Sequence, residues 1–194
     1  MERGLGASVF QPGGYSVVAS ESKNVFSGLR VGLGMDSHRI ESGGPMILGG
    51  LRLDEDIHFV GHSDADVLLH AITDAILSAA GLPDIGQLFP NTAEENRGRD
   101  SADMLFIGMK AVRHAGWTII NLDCVVQLER PKLSGHKELM KQRIAEILQI
   151  ESDQIAIKGK TGEGVGEIGR GELCQATCVV LLLRPSIRAR DLSI

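Results

Sequence analysis

At 194 residues the chain is long enough for one domain and too short for two enzyme-sized ones. Its 43% hydrophobic and 23% charged residues exclude a disordered chain and a coiled-coil rod, and a net charge of −5 without a basic block disfavours nucleic acid and anionic membranes as partners. The longest apolar run, residues 178–183, is far short of the roughly 20 residues that a membrane-spanning helix needs. Twenty-four glycines predict backbone in unusual dihedrals or in close approach to a ligand. Cys124, Cys174 and Cys178 are an odd number without a secretory signal, so a reducing compartment is expected and a disulfide framework is not. They read as small core residues.

Residues 1–28 hold no sustained period and read as a poorly ordered N-terminal extension, with a domain over 29–186 and a C-terminal tail over 187–194. Residues 30–38 and 46–48 read as two strands of a hairpin, joined by the turn Glu41-Ser42-Gly43-Gly44-Pro45. Helix 63–80 has Ser63 at its N-cap and a buried stripe of Leu68, Ile72, Ala75, Ile76 and Ala79; Gly81 and Pro83 stop it. A polar loop over 84–100 leads to a helix over 101–115, a strand over 121–128 and a helix over 136–149. Strands 155–160 and 173–183 follow, joined by a glycine-rich loop. The alternation of strands and helices predicts a two-layer α/β sandwich.

Asp36 and His38 stand two apart on a strand, so both side chains point to one face. His70, in mid-helix, has Asp66 and Asp74 one turn away on either side, each able to hydrogen-bond the ring nitrogen not used for coordination. One Asp and two His leave an open position on a tetrahedral zinc; the same spacing also fits ordinary ion pairs. His62 and Ser63, at the expected helix start, suit either an anion at unpaired N–H groups or a plain cap. Lys160-Thr161 lacks the first glycine of a P-loop, since Gln154 stands there. Gly164-x-Gly166-x-x-Gly169 is followed by a strand where a dinucleotide site needs a helix. What survives is either a tight β-β connection or a turn whose N–H groups, with Thr161, Glu163 and Arg170, could cradle phosphates and share a divalent cation.

Five blocks occur in order between about Arg30 and Leu183. They are Gly32-Leu33-Gly34-Met35-Asp36-Ser37-His38, the run from Gly61 to Asp74, Asp84-Ile85-Gly86 with Leu88-Phe89-Pro90, Arg130-Pro131-Lys132-Leu133, and Lys160-Thr161-Gly162-Glu163 with Gly169-Arg170-Gly171. In these the chain resembles the 2-C-methyl-D-erythritol 2,4-cyclodiphosphate synthase family of the non-mevalonate isoprenoid pathway.

The resemblance implies a homotrimer of small α/β subunits with sites at subunit interfaces. It implies cyclisation of 4-diphosphocytidyl-2-C-methyl-D-erythritol 2-phosphate with loss of CMP, in the cytoplasm or a plastid-type organelle. Asp36, His38 and His70 then bind Zn2+, Glu163 helps to place a second divalent ion (Mg2+ or Mn2+), and His62 and Thr161 stabilise developing charge. Ser37 lies with Asp36, His38 and His62 against the substrate. Ser63, Asp84, Ile85, Gly86 and Phe89 hold the erythritol portion and its phosphate. Leu128, Pro131, Lys132, Leu133 and Ser134 grip the cytidine, and Lys160, Gly162 and Arg170 complete the contacts. The chain departs from the family at Asn91-Thr92-Ala93, where many members carry aspartates, and at Glu167, a position often aromatic. A zinc phosphoesterase and a non-catalytic nucleotide-binding trimer are the alternatives.

Overall fold

The computed structural model describes residues 28–184; the expected N-terminal extension and C-terminal tail lie outside the described residues. Seven strands and five α-helices follow in chain order. β1 (Leu29–Ser42), β2 (Met46–Leu48), β3 (Leu51–Asp54) and β4 (Ile57–Phe59) come first, then α1 (Val67–Ala80), α2 (Ile85–Leu88) and α3 (Ser101–His114). β5 (Thr118–Gln127), α4 (Lys137–Leu148), β6 (Ile155–Lys160), α5 (Gly166–Gly169) and β7 (Leu173–Leu183) are the remaining elements among the described residues. Five strands form one sheet in the order β4-β1-β7-β5-β6, antiparallel except for β5 with β6. α1 lies across β1 and β7, α4 packs on β6, and α3 packs on α1 and α4. The mixed α/β architecture is as expected.

The first predicted hairpin is not formed. β1 runs on to Ser42 and pairs with β7 and, at its end, with β4, while β2 pairs with β3. The hairpin turn is Gly49-Gly50, both at positive φ (63° and 71°), the backbone a tight two-residue turn demands. α1 begins at Val67 instead of Ser63, because Ala65 sits at φ 58° and Asp66 is the cap. Its burial is wider than a stripe, since Val67, Leu69, Ala71, Thr73 and Leu77 are buried too, between the sheet and α3. Within the polar 84–100 segment α2 forms, with Asp84 as its cap. The loop between β6 and β7 is not a tight β-β connection: β5 lies between those strands, and the loop carries α5.

Alternation along β1 divides its residues between two environments. Gly32, Gly34, Asp36 and His38 face α1; Val31, Leu33 and Met35 face away and are 69%, 63% and 62% exposed. On β7 the alternate positions Cys174, Ala176, Cys178, Val180 and Leu182 enter the core, where Cys124 stands opposite Cys178. All three cysteines are free and buried, and burial pushes the Cys174 thiol well above its ordinary value. No described helix is long and apolar enough to cross a membrane.

Candidate metal centre

β1 and α1 approach closely because of two glycines. A Cβ on Gly34 would lie 2.0 Å from the Ala71 carbonyl oxygen, and one on Gly32 would lie 2.0 Å from that of Ala75. Those backbone atoms cannot be passed by a side chain, so glycine admits the helix to the strand. Gly34 is two residues before Asp36, and Ala71 follows His70. The contact therefore sets the distance between the sheet's polar pair and the helix's histidine.

At the helix start, the fully buried Asp66 accepts N–H bonds from Leu68 (3.2 Å) and Leu69 (3.1 Å) and, across the β2-β3 turn, from Gly49 (3.0 Å) and Gly50 (2.7 Å). Burial pushes its carboxyl up to about 6, against the pull of the amide donors. These bonds occupy the N–H groups that an anion at the helix start would need, so the anion reading of that helix end fails. They also take Asp66 out of play as a partner of His70. Asp74 is likewise engaged elsewhere, accepting from the Ile85 N–H at 2.8 Å and so fastening the Asp84–Gly86 segment beside α1.

Asp36, His38 and His70 do converge. Asp36 Oδ2 lies 3.0 Å from both His38 Nε2 and His70 Nδ1, and the two ring nitrogens are 3.3 Å apart. The ligand atoms all fall within 4.8 Å of one another. His38 Nδ1 donates to the Val60 carbonyl at 2.9 Å, which leaves Nε2 to face the cluster. His70 turns Nε2 away, toward Ser101 Oγ at 2.8 Å and Ser63 Oγ at 3.2 Å, and presents Nδ1. One carboxylate oxygen and two imidazole nitrogens converging this way fit a divalent metal with a position left for substrate. Burial raises the Asp36 carboxyl, but hydrogen bonds and attraction from His38 and His70 outweigh it and hold that carboxyl well below its ordinary range. Burial also opposes charge on His38, yet Asp36 and the Val60 carbonyl leave its pKa raised.

The three residues line a cavity of about 250 Å³ with His62, Ser63, Ile85, Gly86 and Phe89, all expected at the site, with Asn91 from the loop that departs from the family, and with Asn96 and Met104, which sequence reasoning missed. The Nε2 of His62 is buried without a hydrogen-bond partner. A second cavity of about 210 Å³ is lined by Leu128, Lys132, Leu133, Ser134, Lys137, Gly159, Lys160 and Thr161. The two share no residue. Ser37 is exposed on the opposite face of β1, and Asp84 caps α2. Glu163 accepts from the Thr161 hydroxyl at 2.7 Å and is outside the three-residue cluster. Pro131 is half-buried next to Lys132, and Arg170 pairs with Glu172 at 2.9 Å. The N–H groups of Gly162, Val165, Gly169, Arg170, Gly171 and Glu172 are spent on Glu129 and on the loop's own carbonyls, so these do not form a phosphate cradle.

A helix-backed mixed sheet with a one-carboxylate, two-imidazole cluster where strand meets helix defines an α/β protein with a candidate divalent-metal site. A model of the YgbB family matches residues 29–183, and the chain belongs to that family. It is 50% identical over 155 residues to the 2-C-methyl-D-erythritol 2,4-cyclodiphosphate synthase of Rhodopirellula baltica, covering 80% of this chain and 93% of that one. Its fold is similar to the bifunctional IspDF of Campylobacter jejuni (TM-score 0.78, 36% identity, 81% of this chain and 42% of that one). It is also similar to a CDP complex of IspF from Plasmodium falciparum (TM-score 0.73, 32% identity, 82% and 98%). The chain spans less than half of the bifunctional protein and nearly all of the other two.

Proposed function

We propose that this chain converts 4-diphosphocytidyl-2-C-methyl-D-erythritol 2-phosphate to 2-C-methyl-D-erythritol 2,4-cyclodiphosphate and CMP, acting as a phosphorus-oxygen lyase. The observation that carries this is the convergence of Asp36, His38 and His70 on one wall of a cavity, in a chain 50% identical to a synthase of that name. In the reaction an oxygen of the 2-phosphate bonds to the β-phosphorus, and the bond from that phosphorus to the oxygen bridging to CMP breaks, its electron pair leaving with CMP. Nucleophile and electrophile are anionic parts of one molecule, so catalysis consists of neutralising their repulsion and holding them in line.

Asp36, His38 and His70 would hold Zn2+, which as a Lewis acid polarises phosphate oxygens. His62, which lines the first cavity, and Thr161, which lines the second, are assigned to stabilising charge that builds on phosphate oxygens, the Thr161 hydroxyl turning from its present acceptor Glu163 to do so. Ser63 and the segment Asp84, Ile85, Gly86 with Phe89 shape the wall for the erythritol. Lys132, Lys137 and Lys160 give the second cavity a positive lining suited to the diphosphate of a cytidine nucleotide, with Leu128, Leu133 and Ser134 of the lining, and the neighbouring Pro131, assigned to the base. Glu163, beside Thr161, is assigned to a second divalent ion, Mg2+ or Mn2+; Gly162 and Arg170 complete the loop.

The two cavities share no residue, and in a homotrimer the second cavity of one copy would face the first cavity of the next. The exposed row Val31, Leu33 and Met35 supplies apolar surface for that assembly. Three free cysteines suit a reducing cytoplasm.

Phosphorus NMR of the protein incubated with the substrate, Zn2+ and Mg2+, with CMP release followed in parallel, tests the function. Equal amounts of cyclic diphosphate and CMP are expected. A linear phosphorylated product makes the chain a phosphoesterase, and binding without turnover makes it a non-catalytic nucleotide-binding protein.

A further inference from the structure

The partners expected for His70, Asp66 and Asp74, are both occupied elsewhere, and a different pair takes their place. Ser101 is fully buried at the first position of α3, and its Oγ is 2.8 Å from His70 Nε2. The same hydroxyl bonds Asp64 Oδ1, whose carboxylate also accepts the Ser101 N–H at 3.2 Å. With Asp64 as a carboxylate, proton accounting gives the bonds around Ser101 a direction. An ionised carboxylate only accepts, so the single hydroxyl proton of Ser101 goes to Asp64. The oxygen's lone pairs remain for His70, which must donate from Nε2. That leaves Nδ1, 3.0 Å from Asp36 Oδ2 and 3.3 Å from His38 Nε2, as the nitrogen whose electron pair a metal would take, displacing any proton it shares with Asp36.

We propose that Ser101, held by Asp64, is a positioning residue that keeps His70 in the Nε2–H form and so prepares its Nδ1 for the metal. The proposal rests on the metal-site reading above and adds residues to it that touch neither metal nor substrate. His38 reaches the same end by another route, its Nδ1–H being held by the Val60 carbonyl. The two rings therefore present opposite nitrogens, each fixed by an acceptor on its far side, as ligating histidines require. Ser63, at 3.2 Å from His70 Nε2, is the weaker neighbour, and its Oγ already accepts the Ala65 N–H.

The test is Ser101→Ala, read by zinc affinity in competition with a chelator and by proton NMR of the Co2+-substituted protein. In the wild type each ligating ring contributes one paramagnetically shifted, solvent-exchangeable N–H signal. In the variant the His70 signal should be lost to exchange while that of His38 persists, and zinc affinity should fall about 10- to 100-fold. A variant damaged only in its fold would disturb both signals, so persistence of the His38 signal separates positioning from general structure. Both signals retained with unchanged zinc affinity overturns the proposal. If Ser101→Ala does not fold, Asp64→Asn decides the matter, because it keeps the hydroxyl and removes the charge that orients it. A weakened His70 signal with reduced zinc affinity then supports the proposal, and no change in either overturns it. Wild-type protein that binds neither Zn2+ nor Co2+ overturns the metal-site reading and this proposal together. A wild type that binds both ions, with a variant that behaves the same, overturns the proposal alone.

Discussion

When His38 is protonated its second proton sits on Nε2, the candidate ligand atom, so its titration and metal binding compete. Asp36 raises its pKa above the ordinary value of about 6.5. In the metal-free chain this contributes stability that is complete below the unfolded pKa and is lost as pH rises through the raised folded value. Metal binding reverses the dependence, because the ion must displace that proton. The rise in melting temperature on adding Zn2+ should therefore grow as pH increases from about 5.5 to 8. Thermal unfolding with and without the ion measures it; a rise that shrinks with pH would remove His38 from the ligand set. At this scale the sequence was informative wherever the strand rule sufficed: Asp36 and His38 share a face because side chains alternate. It was misleading wherever a partner had to be chosen. Asp66 and Asp74 are one helical turn from His70, yet stronger calls on their oxygens come from the backbone of Gly49, Gly50 and Ile85. Ser101, 31 residues from His70 in the chain, gave no local signal, since only the packing of α3 on α1 brings it there.

Between elements, the decisive contact is β1 against α1. A methyl group at position 34 meets the Ala71 carbonyl oxygen at 2.0 Å and the Ala75 N at 2.6 Å, so Gly34→Ala must push helix and strand apart. Overpacking of this kind costs about 1–3 kcal/mol. The same displacement separates His70 from Asp36, so zinc affinity should fall together with stability in denaturant unfolding. A variant that loses stability but keeps full zinc affinity would show that the contact does not set the site. From β5 onward the three strands and α4 follow the periodicity of the sequence to within a few residues, because each has a regular apolar pattern, while the short α5 inside the glycine-rich loop has none. The first strands do not follow that periodicity. A glycine pair stands both at 43–44 and at 49–50, and local sequence cannot tell which one closes a hairpin when the long-range partner of β1 is β7, more than 130 residues away. The start of α1 was misplaced for a related reason: Ser63 has the chemistry of a cap, but the left-handed backbone at Ala65 interrupts any helix from that point. That conformation is uncommon for alanine, and no pattern in the sequence announces it.

For the whole molecule, the sheet's uncovered face is the feature that the single chain leaves open. Val31, Leu33 and Met35 on β1, with Val179 on β7 at 44% exposure, make an exposed apolar row, the kind of surface that marks an interaction site. If it is the trimer surface, Leu33→Glu should give single chains in sedimentation. Such chains should still bind Zn2+, since Asp36, His38 and His70 belong to one subunit, but should release no CMP, since the second cavity would lack its counterpart. Full CMP release from single chains would show that one subunit holds a complete site. The double use of β1 has a consequence for how this sequence can vary. Its even-numbered positions from Gly32 to His38 serve the helix contact and the candidate metal site, and its odd-numbered positions serve the outer surface. Inserting or deleting one residue in that stretch exchanges the two sets, so that Met35 and Ser37 would be offered to an ion and Asp36 to an apolar neighbour. The segment can drift by substitution within each set, but its length is frozen; insertions in descendants of this chain belong in its loops.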